Sequence, residues 1–168
     1  MQKLYIITGP AGVGKSTISR ALAEKLDKSV LIEGDEIYAH VIGGYVSAWK
    51  EGNHLEVFWK VCIDMIKRYL EYGYDVVFNY IINPKDVNNI QEAVKDVETK
   101  FVVLLTNEET LLKRDAERPE DCQMKDRCLV LLNSFKNKGY EEKYILETTK
   151  ISVEEAVESV ENEERFVL

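Results

Sequence analysis

Long apolar runs, paired cysteines and an excess of positive charge are all missing from this sequence. No apolar stretch approaches the ~20 residues that a bilayer-spanning helix needs. The segment Leu4 to Thr8 is too short and wrongly flanked for a secretory signal. These absences lead us to expect a soluble, cytoplasmic chain with no membrane partner. Three cysteines, Cys62, Cys122 and Cys128, make an odd set without a CxxC pair, which argues against both a disulfide framework and a structural zinc site. The formal charge is −8, from 22 Lys and Arg against 30 Asp and Glu. A protein that binds nucleic acid by neutralising phosphates carries the opposite sign, so nucleic acid is not expected as a partner. Residues 152 to 168 supply −5 of the total, six glutamates against Arg165, and the remainder is only mildly acidic. Nine glycines and three prolines in 168 residues, 45% of them apolar, exclude collagen-like and low-complexity chains. One domain spanning residues 1 to 168 is the expectation.

Five segments rich in Val, Ile, Leu, Tyr and Phe read as strands: Lys3 to Thr8, Ser29 to Glu33, Asp75 to Tyr80, Lys100 to Thr106 and Lys143 to Thr148. Near-continuous apolar stretches such as Leu4-Tyr5-Ile6-Ile7 suit strands covered on both faces, as in a parallel sheet. Helical patterns separate them. Ile18, Leu22 and Leu26 recur every four residues, and Leu55, Phe58, Cys62, Met65, Ile66 and Tyr69 form a longer stripe ending at Gly73. Start signals mark the later helices: Asn83-Pro84, a Thr106/Glu109 capping box, a fresh start near Asp121 after the Arg118-Pro119 break, and Ser152 with Glu155. Strand and helix alternate throughout, which implies an α/β sandwich around five parallel strands.

The first strand runs directly into Gly9-Pro10-Ala11-Gly12-Val13-Gly14-Lys15-Ser16-Thr17, and a helix follows. This is GxxxxGKS in the strand-loop-helix setting that gives it meaning. Glycines let the backbone fold into a nest of N–H groups around a phosphate, and the helix adds its positive N-terminal end. Gly9, Gly12, Val13, Gly14, Lys15, Ser16 and Thr17 are therefore the expected nucleotide-binding residues, with Lys15 on the β and γ phosphates and the Ser16 hydroxyl on magnesium. A guanine-reading NKxD is missing: Asn137-Lys138 lacks the aspartate and follows a helix. An AAA-type motor is also disfavoured, because the acidic Glu33-Gly34-Asp35-Glu36 comes too soon after Lys15 and the chain is short for such a module with its lid.

With these residues the chain resembles the P-loop small-molecule kinases: gluconate kinase, shikimate kinase, chloramphenicol phosphotransferase and, more distantly, adenylate kinase. The resemblance rests on Gly9 to Thr17, on Leu31-Ile32-Glu33-Gly34-Asp35 closing the second strand, on Arg114-Asp115-Ala116-Glu117-Arg118 with Arg127 downstream, and on the last strand and its loop. The order of parts looks most like the gluconate kinase-like branch. The resemblance implies a three-layer P-loop sandwich with sheet order 2-3-1-4-5 and a small helical lid over about 114 to 127. It also implies a Mg2+- and ATP-dependent kinase acting on a hydroxyl of a small molecule: gluconate, a similar sugar acid or an antibiotic. A nucleoside or nucleotide kinase, or a non-catalytic ATP-binding regulator, is the alternative.

Family members use an acid at the end of the second strand to orient or deprotonate the acceptor hydroxyl, and Asp35 matches that position. Glu33 matches an acid that some members direct at magnesium-bound water, so Ser16, Asp35 and Glu33 are the expected metal residues. A surface carboxylate capping the next helix is the competing reading for Asp35. Arg114, Arg118 and Arg127 suit clamping of the transferred phosphoryl group, because guanidinium forks bind phosphate oxygens bidentately. A solvated face paired with Asp115, Glu117 and Asp121 is the alternative. The third strand ends in Asn79, where many P-loop enzymes carry an aspartate for magnesium. Thr149 and Lys150 are the expected adenine contacts.

The acceptor pocket is expected from the insertion at about 36 to 73 and from Asn79 to Asn83. Trp49, Trp59, Tyr69 and Tyr80 are expected to pack, and His40 and His54 to be solvated or hydrogen-bonded. Lys50, Lys60 and Arg68 are the cations available to an anionic acceptor.

Overall fold

The computed structural model describes residues 2–50 and 52–168. Five strands form one parallel sheet in the order β2-β3-β1-β4-β5: β1 (Lys3–Thr8), β2 (Ser29–Glu33), β3 (Asp75–Asn79), β4 (Glu98–Leu105) and β5 (Ile145–Glu147). Successive strand residues point to opposite faces, yet Leu4, Tyr5, Ile6 and Ile7 are all buried, as are Val102, Val103 and Leu104. Both faces of the centre are therefore covered. The described residues form seven helices around the sheet: α1 (Lys15–Lys25), α2 (Gly34–Ala39), α3 (His54–Glu71), α4 (Pro84–Ala93), α5 (Glu108–Ala116), α6 (Asp126–Lys136) and α7 (Val153–Asn162). Helix α1 packs on α7, and α3 packs on α4 and on β3.

The fold agrees with the sequence expectation in class, strand count and order, and departs from it at element ends. Strand β5 is short because a 3-10 turn, Glu142–Tyr144, takes up its expected start. The N-cap of α5 is Asn107, whose side chain accepts from the Thr110 N–H at 2.8 Å. Thr106 instead shares a hydrogen bond with the Thr149 hydroxyl at 3.1 Å, so the Thr106/Glu109 capping box does not form. Asp121 sits in the 3-10 turn Glu120–Cys122, and α6 begins at Asp126. The box at Ser152 and Glu155 is present as expected.

One buried cation ties the sheet to the last helix. Lys100, on β4 and 1% exposed, donates to the carbonyls of Glu161 at 2.6 Å and Glu163 at 3.3 Å. These belong to the C-terminal end of α7, where carbonyls lack intrahelical partners and a cation is favoured. The segment beyond α7 packs back onto the same strand through the Leu168 N–H to Thr99 carbonyl bond and the buried Phe166 ring. The stretch 152–168 thus packs its apolar residues against the rest of the fold while Glu154, Glu155, Glu158 and Glu164 stay exposed. No helix among the described residues is long and apolar enough to cross a membrane.

Candidate active site

The loop between β1 and α1 has the form its glycines permit. Gly14 caps α1 at φ 104°, and Gly9 lies at φ 152° with the Leu104 carbonyl 2.6 Å from where a Cβ would stand. No L side chain fits either place without strain. Val13, between the glycines, is fully buried and anchors the loop to the core. The Lys15 ammonium donates to the Pro10 carbonyl at 3.1 Å, closing the loop on itself. Burial there lowers the Lys15 pKa to about 8; the Asp35 carboxylate pulls it upward and the Arg118 guanidinium pushes it further down.

Around this loop lies a cavity of about 430 Å³, lined at one end by Gly12, Gly14, Lys15, Ser16 and Thr17, with Asp35, Arg114 and Arg118 also in its wall. These expected residues come from three separate parts of the chain. Asp35 stands in the first turn of α2, whose N-cap is Glu33, so Asp35 is not itself the cap. Arg118 lies just beyond the end of α5, and its guanidinium reaches the Asp115 carboxylate at 3.4 Å while facing the cavity. Arg114 donates to the carbonyls of Val13 at 2.9 Å and Thr148 at 3.0 Å, and to the Thr148 hydroxyl at 3.1 Å. Three bonds to the scaffold make it a brace between the phosphate loop and the segment after β5.

Other expected residues lie elsewhere. Arg127 sits with its guanidinium 5.1 Å over the ring of Trp49, outside the cavity wall. Trp49 is accordingly 70% exposed, contrary to the expectation that it packs. Thr149 and Lys150 do not line the cavity; Thr148 and the apolar Ile151, Val153 and Ala156 do. Glu33 is held outside it, pairing with Arg20 at 3.5 Å and accepting from the Asn79 amide at 3.4 Å. Parallel pairing places Glu33 beside Asn79, so the amide that stands in place of a strand-end aspartate serves to hold Glu33.

Two features were missed in the sequence. Asp115 is 2% exposed and accepts from the N–H groups of Met124 at 2.9 Å and Lys125 at 2.7 Å. Burial opposes its ionisation, but those bonds and Arg118 hold its carboxyl below the usual range. Its position four residues after the buried Leu111 put a carboxylate on an apolar face, which was the available signal. The second is Gly34. A Cβ there would stand 2.5 Å from Cδ2 of Tyr80, so the Tyr80 ring lies against the start of α2. Phe58 and Trp59 hold that ring from the other side, at 4.7 and 5.8 Å between centroids.

Over residues 6–147 the sequence matches the family described as AAA domain. The chain belongs to this family. The motor expected from that name was disfavoured above, and the acidic pair such a motor places at a strand end is not found on β3, which ends in Asn79. No curated protein matches the sequence. Among solved structures, a sugar kinase from Janibacter sp. aligns with TM-score 0.71 and 14% identity, covering 94% of this chain and 91% of that one. A gluconokinase from Sinorhizobium meliloti gives 0.69 and 16%, covering 94% and 89%. The APS kinase of Mycobacterium tuberculosis, solved with AMPPNP and APS, gives 0.71 and 16%, covering 96% of each. This member of the AAA domain family therefore shares its whole fold with these proteins.

Proposed function

We propose that this protein is a Mg-ATP-dependent kinase that phosphorylates a hydroxyl of a small molecule. The observation that carries the reading is the convergence of Lys15, Ser16, Asp35 and Arg118 on one cavity. Phosphoryl transfer asks mainly for positioning and for charge aimed at the moving group, and this set supplies both. The loop N–H groups and Lys15 would hold the β and γ phosphates. The acceptor oxygen forms its bond to the γ phosphorus as the bond to the β–γ bridging oxygen breaks; ADP leaves with that electron pair and the hydroxyl proton passes to Asp35. Arg118 would meet the charge on the transferring oxygens. Arg114, committed to the scaffold, shapes the nucleotide end.

No group of three or more His, Cys, Asp or Glu able to hold a metal lies among the described residues. The donor set fits a hard cation that keeps several waters and leans on phosphate oxygens, as magnesium does. Ser16 would hold it directly and Asp35 through water. When bound, the ion neutralises charge on the terminal phosphates.

Gluconate and related sugar acids are the first acceptors to assay, given the gluconokinase and sugar kinase among the neighbours. Asp35→Asn is expected to lower kcat by about 100-fold or more while leaving Mg-ATP affinity nearly intact. Arg118→Ala is expected to lower kcat more than it raises the KM for ATP. Wild-type kcat in both variants would sink the reading. ATP hydrolysis that no acceptor accelerates, together with a partner bound only in the ATP state, would point to a regulator instead.

A further inference from the structure

A second cavity, of about 310 Å³, lies between α2 and α3 under the segment 41–46. Its size falls in the range of small-molecule sites. His54, Val57, Phe58 and Val61 form one face of α3, and Tyr38 of α2 stands opposite, its ring 5.3 Å from that of Phe58. Tyr45 meets the Tyr38 ring edge-on at 5.8 Å. Among the described residues no Lys, Arg, Asp or Glu lines the cavity; its titratable side chains are the imidazoles of His40 and His54 and the phenols of Tyr38 and Tyr45. Two of the insertion's cations are paired outside the cavity: Lys60 with Glu56 at 2.7 Å and Arg68 with Glu71 at 2.8 Å, all four exposed, and Lys67 is not in the wall. Lys50 is exposed and outside the wall.

Two further observations point to an occupant. The Tyr38 hydroxyl is already spent on the Val46 carbonyl at 2.6 Å, whereas the His54 Nε2 is buried with no hydrogen-bond partner among the described residues. A buried polar atom left unmet is costly, and a ligand hydroxyl or amide would meet it. Around the mouth, Val41, Ile42, Tyr45, Val57 and Val61 expose apolar surface, with Ile42 86% exposed. Clustered apolar exposure of this kind marks a surface that something covers. Helix α2 also carries Asp35, three residues before Tyr38, so the acid and the cavity share one short helix.

We propose that this cavity receives the body of the phosphoryl acceptor, and that the acceptor is an uncharged molecule with an aromatic or alicyclic body rather than a sugar acid. The inference rests on the kinase reading above and narrows its substrate. Charge decides the class: with no Lys or Arg in the described wall and only the imidazoles of His40 and His54 to meet it, a carboxylate gives up its hydration without a permanent partner cation, whereas an aromatic body gains by leaving water and by edge contacts with Tyr38, Tyr45 and Phe58.

The test is calorimetric titration of the wild type, without nucleotide, with p-nitrobenzyl alcohol, a neutral phenicol antibiotic and gluconate, followed by ATP-consumption assays with each. Val57→Lys and Val61→Lys place a charge in the wall at positions 57% and 41% exposed, so the fold should tolerate them, and melting temperature checks that it does. The neutral aromatic alcohols are expected to bind saturably, each lysine variant to weaken them by about tenfold or more, and gluconate to give no heat. Gluconate binding as tightly as the aromatics, or aromatic binding unchanged in both variants, overturns the proposal. So does a wild-type dimer that Val57→Lys dissociates while no alcohol binds, since the groove would then be an interface between copies. If the aromatics bind as expected but none is phosphorylated, the cavity does not hold the acceptor and this proposal falls, while the kinase reading is decided by the Asp35 and Arg118 variants. If gluconate accelerates ATP consumption, the kinase reading stands and this proposal falls.

Discussion

Lys15 is the residue on which most depends, and its environment gives it a pH signature. Burial lowers its pKa to about 8, so the free loop loses its cation as pH rises through that value. Bound phosphates favour the charged form and push the pKa back up. Nucleotide binding should therefore take up a proton above about pH 8, and affinity should fall by up to about tenfold per pH unit over that window. Calorimetry in buffers of different ionisation enthalpy measures the uptake directly. Lys15→Arg should abolish it, because a guanidinium stays charged; equal proton uptake in that variant would remove Lys15 as the source. Gly34 is a second residue-scale case. It is glycine because the Tyr80 ring occupies the space of a Cβ, and its backbone is not in the left-handed region. Gly34→Ala should shift the start of α2 and with it Asp35, lowering kcat about tenfold while Mg-ATP affinity stays within twofold. Adding Tyr80→Leu should return part of the loss, and no rescue would mean that the contact does not set Asp35.

At the scale of elements, the connection from α5 to α6 is organised by one carboxylate. Asp115 gathers the N–H groups of Met124 and Lys125 and the Arg118 guanidinium, and it lies under the phosphate loop, 3.7 Å from where a Cβ on Gly12 would stand. Lys125 adopts φ 49° and ψ −130°, a strained conformation for a residue with a side chain. The bonds to Asp115 maintain it. Asp115→Asn keeps the shape but turns one acceptor into a donor facing N–H groups. It should cost about 1–3 kcal/mol, speed amide exchange at Met124 and Lys125, and lower kcat through Arg118. Unchanged exchange at those amides would show that the carboxylate does not hold the loop. Because the folded pKa is held down, the stabilisation is present above the unfolded value of about 3.9 and is lost only as pH falls through the lower folded one. The connection should stay latched through mildly acidic conditions.

For the whole molecule, the buried Lys100 joins the sheet to the end of α7. Lys100→Met keeps the apolar stem and leaves the two carbonyls unmet, which should cost about 1–3 kcal/mol and lower the melting temperature by several degrees. An unchanged melting temperature would mean that water replaces the ammonium without loss. Nothing about residue 100 in the sequence announces this role, since a lysine opening an apolar run reads as an edge residue. The same limit applies to Asp115 and Gly34, whose partners lie in other elements.

Local chemistry determined from the sequence alone what depends on neighbours along the chain. Apolar runs gave five strands, stripes at helical spacing gave the helices, and Gly9 to Thr17 gave the phosphate loop, because hydrogen bonding, φ preference and burial period are set within a few residues. Tertiary structure decided what depends on distance. It put Asp35 and Arg118 on the cavity of Lys15 while leaving Arg127 over Trp49 and Glu33 against Asn79. It turned Arg114 into a brace, and it drew apolar residues of α2 and α3 into a second cavity whose described wall has no Lys, Arg, Asp or Glu. Side chains that look alike in sequence diverge there, because a guanidinium or carboxylate takes its role from the groups that packing brings within about 3 Å.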